Sequence, residues 1–346
     1  MRRSRFLPAI ALAGAALLSG ATTVQSASAA TAPSSPAATP APATPAPAPA
    51  PSAPPVAGQV RLALEKVGGS PRFALVGGRI VVRGIVTPYV AGQTVQVSFS
   101  LDGRSVGAES AAVLPGSGGA GRFQVGFFSR TAGLLQTRVA HGATPQQGAF
   151  SAAAPSVRFV NPNVTPGARG QSVRLLQSEL DALHYAVPLS GTFEEGTGRA
   201  LVAYRKMTGL ERVPAAGRKV FELLERGAGK FHVRYRSDGR HVEADLTKQV
   251  LVEIEPGGRV KTIYTMSSGK PSTPTVLGRF RVYEKTPGVN SEGMVDSNYF
   301  IRGYAIHGYA EVPTYAASHG CLRVPIPDAP AIYSWVQVGT PVDVYN

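Results

Sequence analysis

The sequence predicts a multidomain, mainly β protein: an immunoglobulin-like β-sandwich, a small three-helix bundle and a C-terminal β-rich domain, in that order. Three observations predict it. Residues 58–160 and 230–346 contain short β-branched and aromatic runs, several alternating at period two, cut by Gly-rich turns. Residues 165–229 switch to apolar spacings of three and four, the mark of a helix face. Residues 30–57 are almost wholly Ala, Pro, Thr and Ser and offer no apolar stripe to bury.

The N-terminus sets an expected compartment. Three arginines without an acid, an apolar run over Phe6–Leu18 and an Ala27-Ser28-Ala29 exit read as a secretory signal peptide over residues 1–29. The run is shorter than the ~20 residues a spanning helix needs. The competing reading is a retained membrane anchor. No later segment is apolar enough to span a bilayer, so the mature chain is expected to be exported, to the wall or beyond, without a stable membrane span. The linker over 30–57 carries ten prolines between Thr31 and Val56. At ~3.1 Å per residue in polyproline form it would reach roughly 80 Å.

In the sandwich region, Val95, Val97, Phe99 and Leu101 alternate with polar residues, and "RIVVRGIV" (79–86), "GRFQVGFFS" (121–129) and "LQTRVAHG" (135–142) are strand-like. Six or seven such strands suit a two-sheet sandwich. His141 stands alone there and makes no constellation. Residues 58–155 hold nine basic and three acidic residues, a large share of the net +14, which favours anionic polymers. With no arginine-rich helix and no aromatic-interleaved basic motif, nucleic acid is not expected as a partner.

The helical region reads as 170–185, 194–210 and 217–227, through Val173, Leu176, Leu180 and Leu183, then Leu201, Tyr204 and Met207, then Val220, Leu223 and Leu224. Over these residues the chain is similar to the three-helix peptidoglycan-binding module. Gly170, Val173, Leu176-Gln177, Leu180, Gly191, Phe193, Thr197 and Gly209-Leu210 carry the likeness. Ser190, Tyr204-Arg205 and "VPAAGRKV" depart from that family's pattern.

From residue 230 the pattern is β again: "FHVRYR", "KQVLVEIE", "RVKTIYTM", "GRFRVYEK", "YFIRGYAIHG" and "GTPVDVYN", with "PGG" (256–258) as a hairpin turn and 326–338 as a helix. This region holds Cys321, the only cysteine. An exported chain with one cysteine cannot close an internal disulfide, so the thiol needs another explanation. His319 lies two residues before it and His307 fourteen before it. A free thiol is only a few per cent thiolate at neutral pH, and an imidazole base with backbone N–H donors would remedy that. Gly320 lets the backbone take unusual dihedrals. Three readings stay open on residue types alone: a nucleophile with a histidine base, zinc on Cys321, His319 and His307 that lacks a fourth ligand, and a buried inert cysteine.

"IHG" (306–308) followed by "SHGCLRV" (318–324) resembles the signature of the L,D-transpeptidase (YkuD-type) catalytic domain. "SSGKPSTPTVLGRF" (267–280) and "VGTPVDVYN" (338–346) agree with its flanks, so the likeness covers the C-terminal third. The resemblance implies that Cys321 is the nucleophile and His307 the base and later acid. The carbonyl of Gly308 would orient His307, the N–H groups of Gly320 and Cys321 would form an oxyanion hole, and His319 would shape the pocket. Arg323 would anchor the loop or a substrate carboxylate, and Ser318 would fix the loop beside the substrate. The implied reaction is acyl transfer between peptidoglycan stem peptides through a thioester, in cell-wall biogenesis. No metal or nucleotide motif accompanies it, and no cofactor is expected. "GVNSEG" (288–293) is expected to be a mobile loop, as a lid. A carboxypeptidase using the same residues and a non-catalytic wall-binding scaffold remain the alternatives.

Overall fold

A computed structural model describes residues 53–346; the expected signal peptide and all but the last residues of the expected linker lie outside the described residues. The described chain is mainly β.

The first ten strands are β1 (Gln59–Glu65), β2 (Phe73–Leu75), β3 (Arg79–Thr87), β4 (Thr94–Leu101), β5 (Arg104–Ala112), β6 (Leu114–Pro115), β7 (Gly121–Phe128), β8 (Gly133–His141), β9 (Phe150–Ala153) and β10 (Val157–Val160). They form two sheets, β1-β3-β7-β6 and β2-β10-β8-β4-β5, with β9 added beside β8. The alternating residues of β4 behave as the pattern demands: Val95, Val97 and Phe99 are buried with Ile80, Val82, Phe123, Val125 and Val139 in one core. Each such side chain contributes about 1.5–3 kcal/mol by leaving water.

Three helices follow: α1 (Gln171–Ala182), α2 (Glu195–Met207) and α3 (Arg218–Glu225). Gly170 precedes α1 at φ +104, a dihedral that favours glycine. Gln177 is fully buried and ties the bundle together. It donates to Thr197 Oγ1 at 2.8 Å and to the Thr192 carbonyl at 2.9 Å, and it accepts from Gly191 N–H at 2.8 Å.

The C-terminal region contains β11 (His241–Asp245), β12 (Val250–Glu255), β13 (Arg259–Thr265), β14 (Gly278–Arg281), β15 (Glu284–Val289), β16 (Val295–Ile301), β17 (Tyr304–Tyr309), β18 (Leu322–Pro325), α4 (Ala329–Trp335) and β19 (Pro341–Tyr345). Two sheets result, β13-β12-β11-β19-β14 and β15-β16-β17-β18. Val242, Leu251, Met266, Phe300, Ile306, Leu322, Val324 and Ile332 fill the space between them.

The helices share a core with this region. Val173, Leu176, Leu180, Leu201, Tyr204 and Leu224 cluster with Val250, Val252, Ile254 and Ile263 of β12 and β13. Backbone bonds between Ala186 and Ile263 (3.0 Å) and between Ile263 and His184 (2.8 Å) extend the edge of β13 with chain that follows α1. Lys206 of α2 is 2 % exposed and donates to the Gln249 carbonyl, Thr265 Oγ1 and the Met266 carbonyl at 2.7–2.9 Å. Arg199 of α2 pairs with Asp328 at 3.0 Å.

Two expectations are corrected here. "FHVRYR" is not a strand. Its Arg234 and Tyr235 N–H groups donate to the buried Glu243 carboxylate instead of to a neighbouring strand. The helix expected over 326–338 shrinks to a 3₁₀ turn at Ile326–Asp328 and α4, because Val336 is already extended. Gly308 lies inside β17. Its lack of a side chain serves packing: a Cβ there would meet the Ala329 Cβ at 2.8 Å.

Candidate active site

His307 and the cysteine loop meet because β17 and β18 are parallel neighbours, with His307 opposite Arg323 and Ile306 opposite Leu322. Cys321 immediately precedes β18 and is therefore carried to the same end of the sheet as His307. Cys321, His307, His319, Arg323, Tyr309, Glu292 and Met294 line one cavity of ≈ 250 Å³. Cys321 is half-buried and opens to that cavity, so it is not an inert cysteine sealed in hydrocarbon. Among the described residues no group of three His, Cys, Asp or Glu side chains gathers as a metal-ligand set.

The loop 316–321 is held by hydrogen bonds at nearly every residue. Ala317 and Ser318 N–H donate to the Ser268 carbonyl at 2.8 and 2.9 Å. The Ser318 carbonyl accepts from Lys270 N–H at 2.9 Å and Thr273 Oγ1 at 3.0 Å. Ser268 is itself fixed by Gln249, whose amide donates to Ser268 Oγ at 2.6 Å and accepts from Ser268 N–H at 2.9 Å. Gly320 has φ +123, and a Cβ on it would meet the Tyr304 ring at 2.5 Å. Only glycine fits there without displacement.

One expected role changes at this loop, that of the Gly320 N–H. Ser318 is fully buried; its Oγ donates to the Cys321 carbonyl at 2.6 Å and accepts from Gly320 N–H at 3.1 Å. It is closed to substrate and acts as the clasp of the loop. For the same reason the Gly320 N–H is engaged and is not a free oxyanion donor. Of the expected pair, only the Cys321 N–H is not tied up by Ser318.

His307 is buried, and its Nδ1 lies 2.9 Å from the Gly308 carbonyl, the partner that the resemblance implied. A carbonyl only accepts, so Nδ1 carries the proton and Nε2 is the basic nitrogen. Burial pushes the imidazolium down, the Gly308 bond opposes this, and Arg323 adds to the lowering. Burial pushes the Cys321 thiol up; backbone and Arg323 interactions oppose, and Glu292 adds to the rise. Both shifts disfavour the charged forms, so the resting pair is a neutral thiol and a neutral imidazole at neutral pH. Such a pair reacts by general-base transfer as the sulfur attacks.

Tyr309 and Lys270 were not singled out from sequence. The Tyr309 ring lies edge-on to His307, with centroids 5.7 Å apart, and under the Arg323 guanidinium at 4.0 Å. His319 is exposed, with its Nε2 3.3 Å from Lys270 Nζ. Lys270 sits in the "SSGK" flank, and that segment's pairing with the cysteine loop was the available signal. The expected lid residues 288–293 form a fastened turn. Asn290 Oδ1 accepts from Glu292 and Met294 N–H at 3.0 and 2.9 Å, and Asn290 N–H donates to the Met294 carbonyl at 3.0 Å. A larger groove of ≈ 810 Å³ runs between α2 and the end of β17 and shares Tyr309 with the cavity.

Known proteins match this region. The family model described as the L,D-transpeptidase catalytic domain matches residues 239–344. The crystal structure of the L,D-transpeptidase from Xylanimonas cellulosilytica is 33 % identical, covering 54 % of this chain and 98 % of that one, with a TM-score of 0.50. The chain belongs to the L,D-transpeptidase family. Other L,D-transpeptidase structures match at lower similarity. That from Stackebrandtia nassauensis is 20 % identical, covering 54 % and 96 % of the two chains, with a TM-score of 0.35. That from Enterococcus faecium is 27 % identical, covering 31 % and 50 %, with a TM-score of 0.28. None of the curated proteins compared matches. In this L,D-transpeptidase the matched segment contains every residue that lines the Cys321 cavity.

Proposed function

We propose that the protein is an exported cysteine transpeptidase that cross-links peptidoglycan stem peptides. The observation that carries this reading is the sharing of one cavity by Cys321 and a His307 whose Nδ1 proton is held by Gly308, leaving Nε2 to act as base. Cys321 Sγ attacks the carbonyl of the third residue of a donor tetrapeptide while His307 Nε2 takes the thiol proton. The oxyanion is met by the Cys321 N–H. Collapse breaks the amide bond, His307 returns the proton to the departing D-alanine amine, and a thioester remains. The side-chain amine of a second stem then attacks the thioester and gives its proton to Nε2. The amide forms, and the sulfur leaves and recovers the proton.

Arg323, cation-bearing and stacked on Tyr309, suits the carboxylate of the leaving residue. His319 lines the same cavity, with its Nε2 beside Lys270. The domains expected over 58–160, 165–229 and 230–346 would serve as spacer, wall-facing module and catalytic unit. The test is incubation of the purified mature chain with disaccharide-tetrapeptide, read by mass spectrometry. Cross-linked dimers that vanish in Cys321→Ala support the proposal. Trimmed monomers alone would make the protein a carboxypeptidase, and no thioester at Cys321 would leave a scaffold.

A further inference from the structure

The cavity at Cys321 contains two opposite charges that do not neutralise each other. Glu292 and Arg323 both line it, yet among the described residues neither takes part in an ion pair. Arg323 is held on the Tyr309 ring at 4.0 Å. Glu292 is exposed and stands at the tip of the β15–β16 hairpin. That tip is built to hold its shape. Asn290 Oδ1 takes two backbone N–H groups, Gly293 N–H donates to the Asn290 carbonyl at 3.0 Å, and Gly288 N–H donates to Asp296 Oδ1 at 2.9 Å. Met294, the neighbour that faces the same cavity, is buried and anchors the turn. Glu292 is thus the one carboxylate lining the cavity, carried on a rigid arm and left without a cation.

We propose that Glu292 is an ammonium subsite, which holds the side-chain ammonium of a diamino acid at the third position of the donor stem. The inference rests on the proposed reaction and adds the selectivity of its donor side. Charge separation across the cavity sets the orientation: the carboxylate of the leaving residue meets Arg323, and the third residue's cationic side chain meets Glu292, with the attacked carbonyl between them at Cys321. The assignment is to the donor and not to the attacking amine. A carboxylate in contact stabilises the protonated amine, and a protonated amine cannot attack a thioester. A donor ammonium takes no part in bond making and benefits from the contact throughout. The Arg323 cation, which lines the same cavity, repels an ammonium, which leaves the Glu292 carboxylate for it.

The test separates this subsite from turnover. In the Cys321→Ala protein, affinities are measured by calorimetry for two tetrapeptides, one with a free side-chain amine at position three and one with that amine acetylated. The free-amine peptide is expected to bind roughly 2- to 5-fold tighter, the range for an ion pair with an exposed carboxylate. Adding Glu292→Gln should collapse that ratio toward unity, and Glu292→Lys should invert it. A matching urea midpoint for each variant keeps the comparison on folded protein. Equal affinities for the two peptides, or a ratio untouched by Glu292→Gln, would overturn the subsite. Thioester formation on the unmutated chain is read separately by intact mass, so failure of the reaction and failure of the subsite give different results.

Discussion

Replacing Lys206 by Met tests how the helices are fastened to the C-terminal sheets. The ammonium is 2 % exposed, and burial, reinforced by Arg212, brings its pKa from 10.5 down to about 7. Between those two values the unfolded chain binds one more proton than the folded chain. Stability contributed by this group therefore rises with pH, since the charged amine is the form that burial penalises. The slope is about 1.4 kcal/mol per pH unit, or about 5 kcal/mol across the window. Met occupies a similar length without titrating, and it leaves the Met266 carbonyl and Thr265 Oγ1 without their donor. Urea denaturation of both proteins between about pH 7 and about pH 10 gives the difference in unfolding free energy. Groups common to both cancel in that difference. It should shift toward the wild type by about 1.4 kcal/mol for each unit of rising pH. A difference that stays flat with pH would refute the buried-amine account.

Two further outcomes are expected at the site. His307→Gln should slow acylation of Cys321 by ~10²–10⁴, the usual worth of a positioned base. Because burial lowers the pKa of His307, the wild-type acylation rate should fall on the acid side only below the ordinary imidazole range, as stopped-flow labelling with an acylating β-lactam would reveal. A rate that declines already above that range contradicts the neutral-pair description. Gly320→Ala should cost about 2–5 kcal/mol, from about 1–2 for the left-handed backbone and about 1–3 for forcing the Tyr304 ring aside. An unchanged denaturation midpoint together with unchanged labelling of Cys321 would show that the turn tolerates a side chain.

Much of this architecture could be read from periodicity. The alternation over Val95–Leu101 and the helical spacing from Val173 to Leu180 each depend on one buried face, and local pattern records that face directly. The Gly308 carbonyl beside His307 was implied by the resemblance to the L,D-transpeptidase signature and not by periodicity. What escaped the sequence depends on contacts between distant segments. "FHVRYR" alternates like a strand, but its N–H groups are claimed by a buried carboxylate nine residues on. The Gly320 N–H looks available as an oxyanion donor, yet the Ser318 hydroxyl takes it while donating to the Cys321 carbonyl. The place of Glu292 in the cavity needs the register of β15 on β16, which shifts within the hairpin and cannot be counted from the residues alone.

The continuous core beneath α1, α2 and β12 bears on how this chain can be divided. The family match starts at residue 239, but the outer faces of Val250, Val252, Ile254 and Ile263 are covered by side chains that come earlier. A fragment trimmed to the matched segment would present those aliphatics to solvent as one continuous oily plate and would strand the acceptors around Lys206. Such a fragment invites precipitation, so excising the reactive half for assay means retaining the helices as its built-in cover.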